Sequence, residues 1–280
     1  MGGDLEQAAR SYLAEQVAVL RATCPLAASG DDDAVHDART AARRARAVVA
    51  VCRDLLPPAE GRAARAGLRT LGRRLGAARD PAVELAWLRD PRSGDGRALP
   101  VRLVAELESA RTAALHELRR ALASPGYGEL LDLLDRLAAS PWMSADEESG
   151  IRRGARRQWR RLDRALAAAR HDEGRTARDA ALHAARRQAR RARYAAEIVG
   201  RRAAQRSAAA VQDALGSQHD AVLVRDAVGA AAAHAMAAGE RVGPYDDLRS
   251  RADNAAREAE RDAAPAVRRA LRHGHRHWLR

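Results

Sequence analysis

The chain has 280 residues, of which 46% are apolar and only 3% aromatic, with no Phe, and its formal net charge is +13. Strands need clusters of β-branched and aromatic side chains, whereas Ala, the best helix former, dominates here, so the composition excludes a β-sheet protein and favours packed helices. Two cysteines and the lack of any apolar stretch near the ~20 residues of a membrane span also exclude a disulfide scaffold and a membrane-spanning protein.

Arginine carries all of the basic charge. The 50 basic residues include no Lys, and they outnumber the 37 acids. This excess predicts a negatively charged partner, which is a nucleic acid, a membrane surface or a phosphate polymer. Arginine suits phosphate because its planar guanidinium donates two hydrogen bonds at once and keeps its proton. Since no apolar leader segment opens the sequence, we expect a cytoplasmic protein without a membrane anchor.

Helical periodicity runs along most of the chain and is broken by short polar segments rich in Gly and Pro. The breaks fall at 24–30, 57–58, 80–81, 90–100, 124–126, 140–150, 171–174 and 243–244. They predict about ten helices. The polar break near the middle, 140–150, predicts the junction of two helical-bundle repeats, residues 1–140 and 141–280.

Two helix starts carry chemical signals. Asp33 precedes a basic helical segment and is a candidate N-cap. Asp80 is followed by Pro81, and an N-cap before a proline at the first helical position is a start signal. We therefore predict helices beginning at these two positions.

The segment after Asp33 contains a histidine followed by regularly spaced arginines. At about 100° per residue, offsets of 0, +3, +7 and +10 fall on one face of a helix. That face carries His36, Arg39, Arg43 and Arg46, while Arg44 points elsewhere. The opposite face is apolar and is predicted to pack into the bundle: it consists of Ala38, Ala42, Ala45, Val49 and Cys52.

The same spacing returns in the second half of the chain. His183, Arg186, Arg190 and Arg193 repeat the offsets, with Arg191 again pointing elsewhere and Ala185, Ala189, Ala192, Ala196 and Val199 on the opposite face. A second pattern, L-G-x-x-x-D, follows each basic helix, at Leu75–Asp80 and at Leu215–Asp220. Two matches in the same order favour an internal duplication.

We call these two faces, His36 to Arg46 and His183 to Arg193, the basic stripes, and they have two interpretations. Like charges at these spacings repel each other by a few tenths of a kcal/mol per pair, and no acids are interleaved to relieve them. An ordinary solvated face tolerates such repulsion, whereas a bound polyanion would remove it. The duplicated histidine favours the polyanion, because a neighbouring phosphate stabilises protonated histidine, so that His36 and His183 would add charge when the ligand is present.

Further arginines are candidates for the same ligand without support from the repeat. The helical segment 151–170 has an apolar side, Ile151, Ala155, Leu162, Leu166 and Ala169, and an opposite basic side. The candidates on this segment and elsewhere are Arg153, Arg156, Arg157, Arg160, Arg73, Arg74, Arg79 and Arg119.

The pattern H-x-x-R-x-x-x-R-R-x-R, followed by L-G-x-x-x-D, resembles the CHAD family, the conserved histidine α-helical domain. The second copy, LHAARRQARRARYAAEIV, is especially similar. The resemblance implies an all-α fold of two pseudo-symmetric antiparallel four-helix bundles, with a basic groove or pore between them that binds inorganic polyphosphate. It also implies that Gly76 and Gly216 permit close helix approach, and that Asp80 and Asp220 cap or orient a basic side chain.

We therefore expect non-enzymatic binding of inorganic polyphosphate through the arginine- and histidine-lined helix faces, without cofactor or metal. For a cytoplasmic protein with this ligand, association with polyphosphate granules is left open by the sequence. The alternative partner is the phosphate backbone of a nucleic acid, or another polyanion. Single-stranded nucleic acids are usually bound with aromatic platforms, and the four Trp and four Tyr of this chain are scattered.

Two other functions remain open. An enzyme acting on phosphate chains is disfavoured, because the E-x-E of Glu106 and Glu108 lacks the following Lys of a triphosphate-tunnel domain, and no Walker loop or nucleophile motif is present. Metal binding by His273, His275 and His277 is also disfavoured, because alternating histidines in an arginine-rich C-terminal segment are more typical of a basic end than of a metal site. The oligomeric state does not follow from the sequence.

Overall fold

A computed structural model describes residues 3–90, 98–142, 147–170 and 174–272 of the chain. Within these ranges it contains ten helices and no strand, so the predicted all-α class is confirmed. The helices are α1 (Gly3–Ser29), α2 (Asp32–Val51), α3 (Pro58–Arg89), α4 (Val101–Leu122), α5 (Pro125–Ala139), α6 (Glu147–Ala168), α7 (Arg175–Ile198), α8 (Arg202–Ala214), α9 (Gly216–Ala237) and α10 (Gly243–Arg272).

Two prolines do not act as the sequence predicts. Pro25 lies inside α1 and Pro81 inside α3, so the helix start predicted at Asp80 is wrong, and α1 ends only at Ser29. Proline removes a backbone donor from a helix interior. In α3 buried leucines lie both before and after Pro81, and packing of this continuous apolar face maintains the helix across it.

Helix ends elsewhere depend on local capping. The cap of α2 is Asp31 and not Asp33, and its carboxylate accepts a hydrogen bond of 2.9 Å from the backbone N–H of Ala34. Gly200, at φ 65°, ends α7 in the left-handed conformation that favours glycine. The breaks at Gly200 and at Leu215, between α8 and α9, were not predicted.

The buried side chains form three clusters. The first lies among α1 to α5 and includes the first part of α6 and the end of α7. The second joins the rest of α6 with α7, α8 and the end of α10. In the third, the end of α3 and the start of α4 pack against α9 and the start of α10. Because helices of both predicted repeats share the third cluster, the duplication and its boundary at residue 140 stay predictions.

The motif helices bury the faces that the sequence assigns to the core. Ala38, Ala42, Ala45, Val49 and Cys52 of the first motif are all at most 1% exposed. Their counterparts Ala185, Ala189, Ala192, Ala196 and Val199 are at most 8% exposed, and the apolar side predicted for α6 is buried as well. Both cysteines are buried and free. No helix in the described ranges is long and apolar enough to cross a membrane.

One glycine allows α6 to cross the end of α2. A Cβ atom at Gly154 would lie 1.9 Å from the carbonyl oxygen of Val51 and 3.0 Å from its Cα. Those atoms belong to the backbone, which cannot move aside as a flexible side chain does. The contact fixes α6 against α2, and through α2 it fixes the position of the first basic stripe.

Replacing Gly154 with Ala is expected to lower the free energy of unfolding by at least about 3 kcal/mol, because the added methyl group overlaps a fixed backbone oxygen. Chemical denaturation followed by circular dichroism measures the loss. The matched control is Gly72→Ala in α3, where nothing lies within 4 Å of the added Cβ. Since Ala is the better helix former, this control should be unchanged or more stable by up to about 1 kcal/mol. Equal stabilities for the two variants would contradict the assigned contact.

Candidate anion-binding site

The basic stripe of α2 faces the basic stripe of α7. Arg39 is close enough to Arg186 to lower its pKa, and Arg190 is close enough to Arg43 to do the same, so matching motif positions of the two helices lie near each other. The structure thus gathers these four predicted arginines around a common space.

A cavity of about 280 Å³ opens beside this space, among α2, α3, α6 and α7. We call it the arginine cavity. Its described lining contains no carboxylate and only one aromatic ring, that of Tyr194. Nine arginines line it: Arg43, Arg46, Arg53, Arg65, Arg69, Arg161, Arg187, Arg190 and Arg191. Ala47, Ala50 and Gln158 complete the wall.

Burial makes the arginine charges of this cavity unfavourable. Burial, followed by the charges of Arg190 and Arg39, lowers the pKa of Arg43 to about 8. Burial and Arg186 lower the pKa of Arg190 to about 10, against the opposing effect of Tyr194. Arg46 is shifted in the same direction by burial and by Arg69. All three remain protonated at neutral pH, so the crowding destabilises the empty site and a bound anion would relieve it.

Carboxylates appear at the N-terminal side of the same helices. Asp80 forms an ion pair of 3.0 Å with Arg39, which agrees with the expectation that Asp80 orients a basic side chain. Asp220 lies near Arg186, and burial nevertheless raises the pKa of its carboxyl group. Burial and Asp80 raise the pKa of Glu84 to about 7. We call Asp80, Glu84 and Asp220 the carboxylate end of the site.

The two glycines of the L-G-x-x-x-D pattern differ. A Cβ at Gly76 would be 3.6 Å from the guanidinium of Arg39, an ordinary contact, whereas at Gly216 nothing lies within 4 Å. The expected close approach at Gly216 is therefore wrong, because this residue begins α9 with open space around it. Gly154 has the close-approach role instead.

The two motif histidines have different surroundings. His36 is exposed, while His183 is partly buried and its Nδ1 lies 3.0 Å from Nδ1 of His219. Burial, then Arg187 and Arg186, lowers the pKa of His183 to about 4. Burial and His183 lower that of His219 to about 3. Both rings are neutral at pH 7, and one Nδ1–H donates to the other Nδ1. The sequence assigned no role to His219.

Arg193, the last arginine of the second stripe, does not line the arginine cavity. Its guanidinium carbon lies 5.9 Å from the ring centroid of Tyr194, and that of Arg44 lies 5.7 Å from the same centroid. Arg44 also forms an ion pair of 3.6 Å with Glu197. These contacts hold the buried Tyr194 ring in the cavity wall.

The other predicted arginines of α3 and α4 lie outside the cavity lining. Arg73 is exposed and donates to Thr70 at 3.2 Å, and Arg74 pairs with Glu117 at 3.0 Å. Arg79 is partly buried and close enough to Asp220 to affect its pKa. Arg119 donates to the carbonyl of Ala28. Their assignment to the ligand stays a prediction.

The predicted arginines of α6 also lie outside the lining. Arg153 and Arg160 are exposed, Arg156 is partly buried, and Arg157 pairs with Asp54 at 2.7 Å. It is Arg161 of the same helix that lines the cavity. The face of α6 that the sequence predicted to bind the ligand therefore differs from the face that lines the cavity.

Six lining arginines were missed by sequence reasoning. Arg191 was expected to point elsewhere and instead lines the cavity, because α6 packs on that side of α7. The pairs Arg65–Arg69 and Arg187–Arg191 have the i,i+4 spacing that places side chains on one face, which was the available signal. Which face looks inward depends on the neighbouring helix. The missed residues are Arg53, Arg65, Arg69, Arg161, Arg187 and Arg191.

Comparisons with known proteins agree with this architecture. A family model described as CHAD domain matches residues 11–229. Two proteins of Mycobacterium tuberculosis, named Uncharacterized protein MT2285 and Uncharacterized protein Rv2226, are each 31% identical over 257 residues, which is 85% of this chain. The chain spans about half the length of these curated relatives, 49% in each case.

Two solved structures share the fold. PptA from Streptomyces chartreusis superposes with a TM-score of 0.74 at 22% identity, covering 95% of this chain and 98% of that one. The CHAD domain from the plant Ricinus communis gives a TM-score of 0.68 at 24% identity, covering 95% and 91% of the two chains. At these identities the likeness concerns the fold alone.

The histidine pair predicts acid sensitivity of the free protein. Because the folded-state pKa values, about 4 and about 3, lie below the ordinary histidine value of 6.5, the unfolded chain takes up protons first on acidification. The contribution of this pair to stability is then constant above about pH 6.5 and falls as the pH drops towards 4. Allowing for solvent screening, we expect the pair to account for roughly 2 kcal/mol of this loss.

Denaturant unfolding at pH 7 and pH 4.5 measures the effect. A double variant, His183→Gln with His219→Asn, should lose less stability on acidification than the parent. The matched control is His36→Gln, at the same motif position but exposed, which should behave like the parent. An unchanged pH dependence in the double variant would show that the pair is not the titrating group.

Proposed function

Because the chain belongs to the CHAD domain family and gathers nine arginines around one cavity, we propose that it binds inorganic polyphosphate without catalysing a reaction on it. The carrying observation is the described cavity wall, in which every charged residue is an arginine. Polyphosphate has about one negative charge on each unit and no base to stack on. A wall of guanidinium groups with a single aromatic ring matches that chemistry.

The partial burial of Arg43 and Arg190 favours a ligand that binds inside the cavity over one that binds loosely at the surface. Arg43 and Arg190 are desolvated before any ligand arrives, so an incoming phosphate meets donors that have already lost part of their water. Relief of their mutual repulsion adds to the attraction. A solvated basic face would offer neither effect, which argues for the polyanion interpretation of the stripes.

Nucleic acid is the alternative partner. Its phosphates are separated by sugars, and single strands are usually bound through stacking of bases on several aromatic rings. The ring of Tyr194 contacts the guanidinium groups of Arg44 and Arg193, and it is the one aromatic side chain in the described cavity wall. A cavity of about 280 Å³ does not admit a base-paired duplex. These features favour the polymer without bases.

Binding without catalysis is part of the proposal. Asp80, a carboxylate near the stripes, is engaged by Arg39. The described residues contain no group of three or more His, Cys, Asp or Glu that could hold a metal ion. The alternative metal site at His273, His275 and His277 lies outside the described residues. As a further part of the proposal, the protein is cytoplasmic and associates with polyphosphate granules.

The first test removes four cavity arginines, by the substitutions Arg43→Ala, Arg46→Ala, Arg69→Ala and Arg190→Ala. Hydrogen bonds to charged groups contribute about 1.5–3 kcal/mol each, so we expect long-chain polyphosphate to bind at least about 100-fold more weakly. Helicity should be kept, because the removed groups repel one another. Isothermal titration at two salt concentrations measures the affinity, which should fall steeply with salt.

The matched control removes the same charge elsewhere. Arg136, Arg206, Arg241 and Arg249 are exposed and lie outside the cavity lining. Their fourfold replacement by Ala should weaken binding by only a few-fold, through long-range attraction. DNA and RNA of equal total charge serve as competitors. Equal affinity for all three polymers, or equal losses in the two variants, would refute the proposed function.

A second test concerns the protons of the histidine pair. A polyanion in the cavity offsets the arginine charge that helps to keep His183 and His219 neutral, so their pKa values should rise on binding. Near pH 5.5 we expect uptake of about one proton per site. Titration calorimetry in buffers of different ionisation enthalpy measures it. The uptake should disappear in the His183→Gln, His219→Asn variant and persist in His36→Gln.

A further inference from the structure

The arginine cavity and the carboxylate end form two consecutive levels of one site. Arg43 and Arg190 line the cavity. One turn towards the N-termini of the same helices lie Arg39 and Arg186, and beside them Asp80 and Asp220. The charge of the site therefore changes from purely basic to mixed within one helical turn.

A polyanion gains little by extending past that turn. Arg39 is already neutralised by Asp80 at 3.0 Å, and a phosphate could claim it only by breaking this ion pair. The phosphate would also approach Asp220, and Glu84 lies behind Asp80 on α3. The other cationic groups near this position, Arg186 and Arg79, both lie close enough to Asp220 to lower its pKa, so their charge is partly offset. His183 and His219 are neutral and repel nothing, but in the free protein they attract no anion either.

Arg43 and Arg190, the cavity arginines next to the carboxylate end, have the charges that most need a counter-ion. Both side chains are partly buried, flanked by other arginines and without a facing carboxylate in the cavity lining. Such a pair is best neutralised by the densest available negative charge. In linear polyphosphate an inner unit has one ionised oxygen, whereas a terminal unit ionises a second time near neutral pH, as phosphate monoesters do, with a pKa of about 6.

We propose that the arginine cavity is a socket for the end of a phosphate chain: the terminal phosphate contacts Arg43 and Arg190, and the carboxylate end stops the chain there. The inference rests on the proposed function and specifies its ligand as a linear polyphosphate with a free terminal phosphate. Inner units then leave through the open side of the cavity, along Arg46, Arg69 and Arg191. Asp80 and Asp220 are specificity-determining residues that exclude inner units from the deepest position.

The test compares linear polyphosphate with the same polymer after both terminal phosphates are capped as neutral-amine phosphoramidates. Capping removes the second ionisation and adds bulk at the end. We expect at least about tenfold weaker binding of the capped polymer to the parent protein. The number of proteins bound per uncapped chain should also equal the number of chain ends, and it should not rise when the polymer is lengthened.

Two variants serve as controls. In the Arg43→Ala, Arg190→Ala variant the socket is removed, so capped and uncapped polymers should bind equally weakly. In Asp220→Asn the barrier loses a charge while its shape is kept, so the capped polymer should regain part of the lost affinity. Circular dichroism verifies that both variants are folded.

The outcomes separate the two proposals. If the parent binds polyphosphate, but capping has no effect and the bound number grows with chain length, the socket is wrong and the proposed function stands. If the parent binds neither polymer better than DNA of equal charge, the proposed function itself fails. Tight binding of the uncapped chain alone, one protein per end, supports both.

Discussion

The mutual repulsion of partly buried guanidinium groups is the constraint on which this structure depends. A folded chain gains nothing by turning Arg43 and Arg190 towards each other in a place with reduced access to water. The fold can hold them there because apolar packing on the other face of each motif helix outweighs the repulsion. Buried alanines and valines of both motifs pack the opposite faces into the bundle and so hold the two basic faces in place. The repulsion between the arginines remains in the free protein, and a bound anion would relieve it.

The surrounding polar groups limit how far this repulsion spreads. Asp80 compensates Arg39, Glu197 compensates Arg44 and Asp54 compensates Arg53, so the uncompensated charge is concentrated in the other arginines of the cavity. His183 and His219 remain neutral in the field of the arginines instead of adding to it. The site therefore combines a strongly basic part with a nearly balanced part, and the difference between them gives it a direction.

Much of the fold was predictable from the sequence, whereas only part of the candidate site was. Ala-rich periodicity indicated the all-α class, and the His–Arg spacing identified the faces of α2 and α7 that are buried and basic. The spacing within one helix could not reveal which side of α6 meets α7, so Arg161 and Arg191 were missed. Pro25 and Pro81 were misread because tertiary packing overrides a local helix-breaking signal. His219 was missed because its partner is 36 residues away in sequence.

The helices that line the cavity belong to two different hydrophobic clusters. The first part of α6 and the end of α7 belong to one cluster, while the remainder of both helices belongs to another. Any motion that separates these clusters must also widen the gap between the guanidinium rows. An anion bridging those rows would act as a molecular tie between the two clusters. Binding of the anion would then make the whole molecule more rigid. Slower proteolysis and slower amide hydrogen exchange, at positions away from the site, would distinguish the bound protein from the free one.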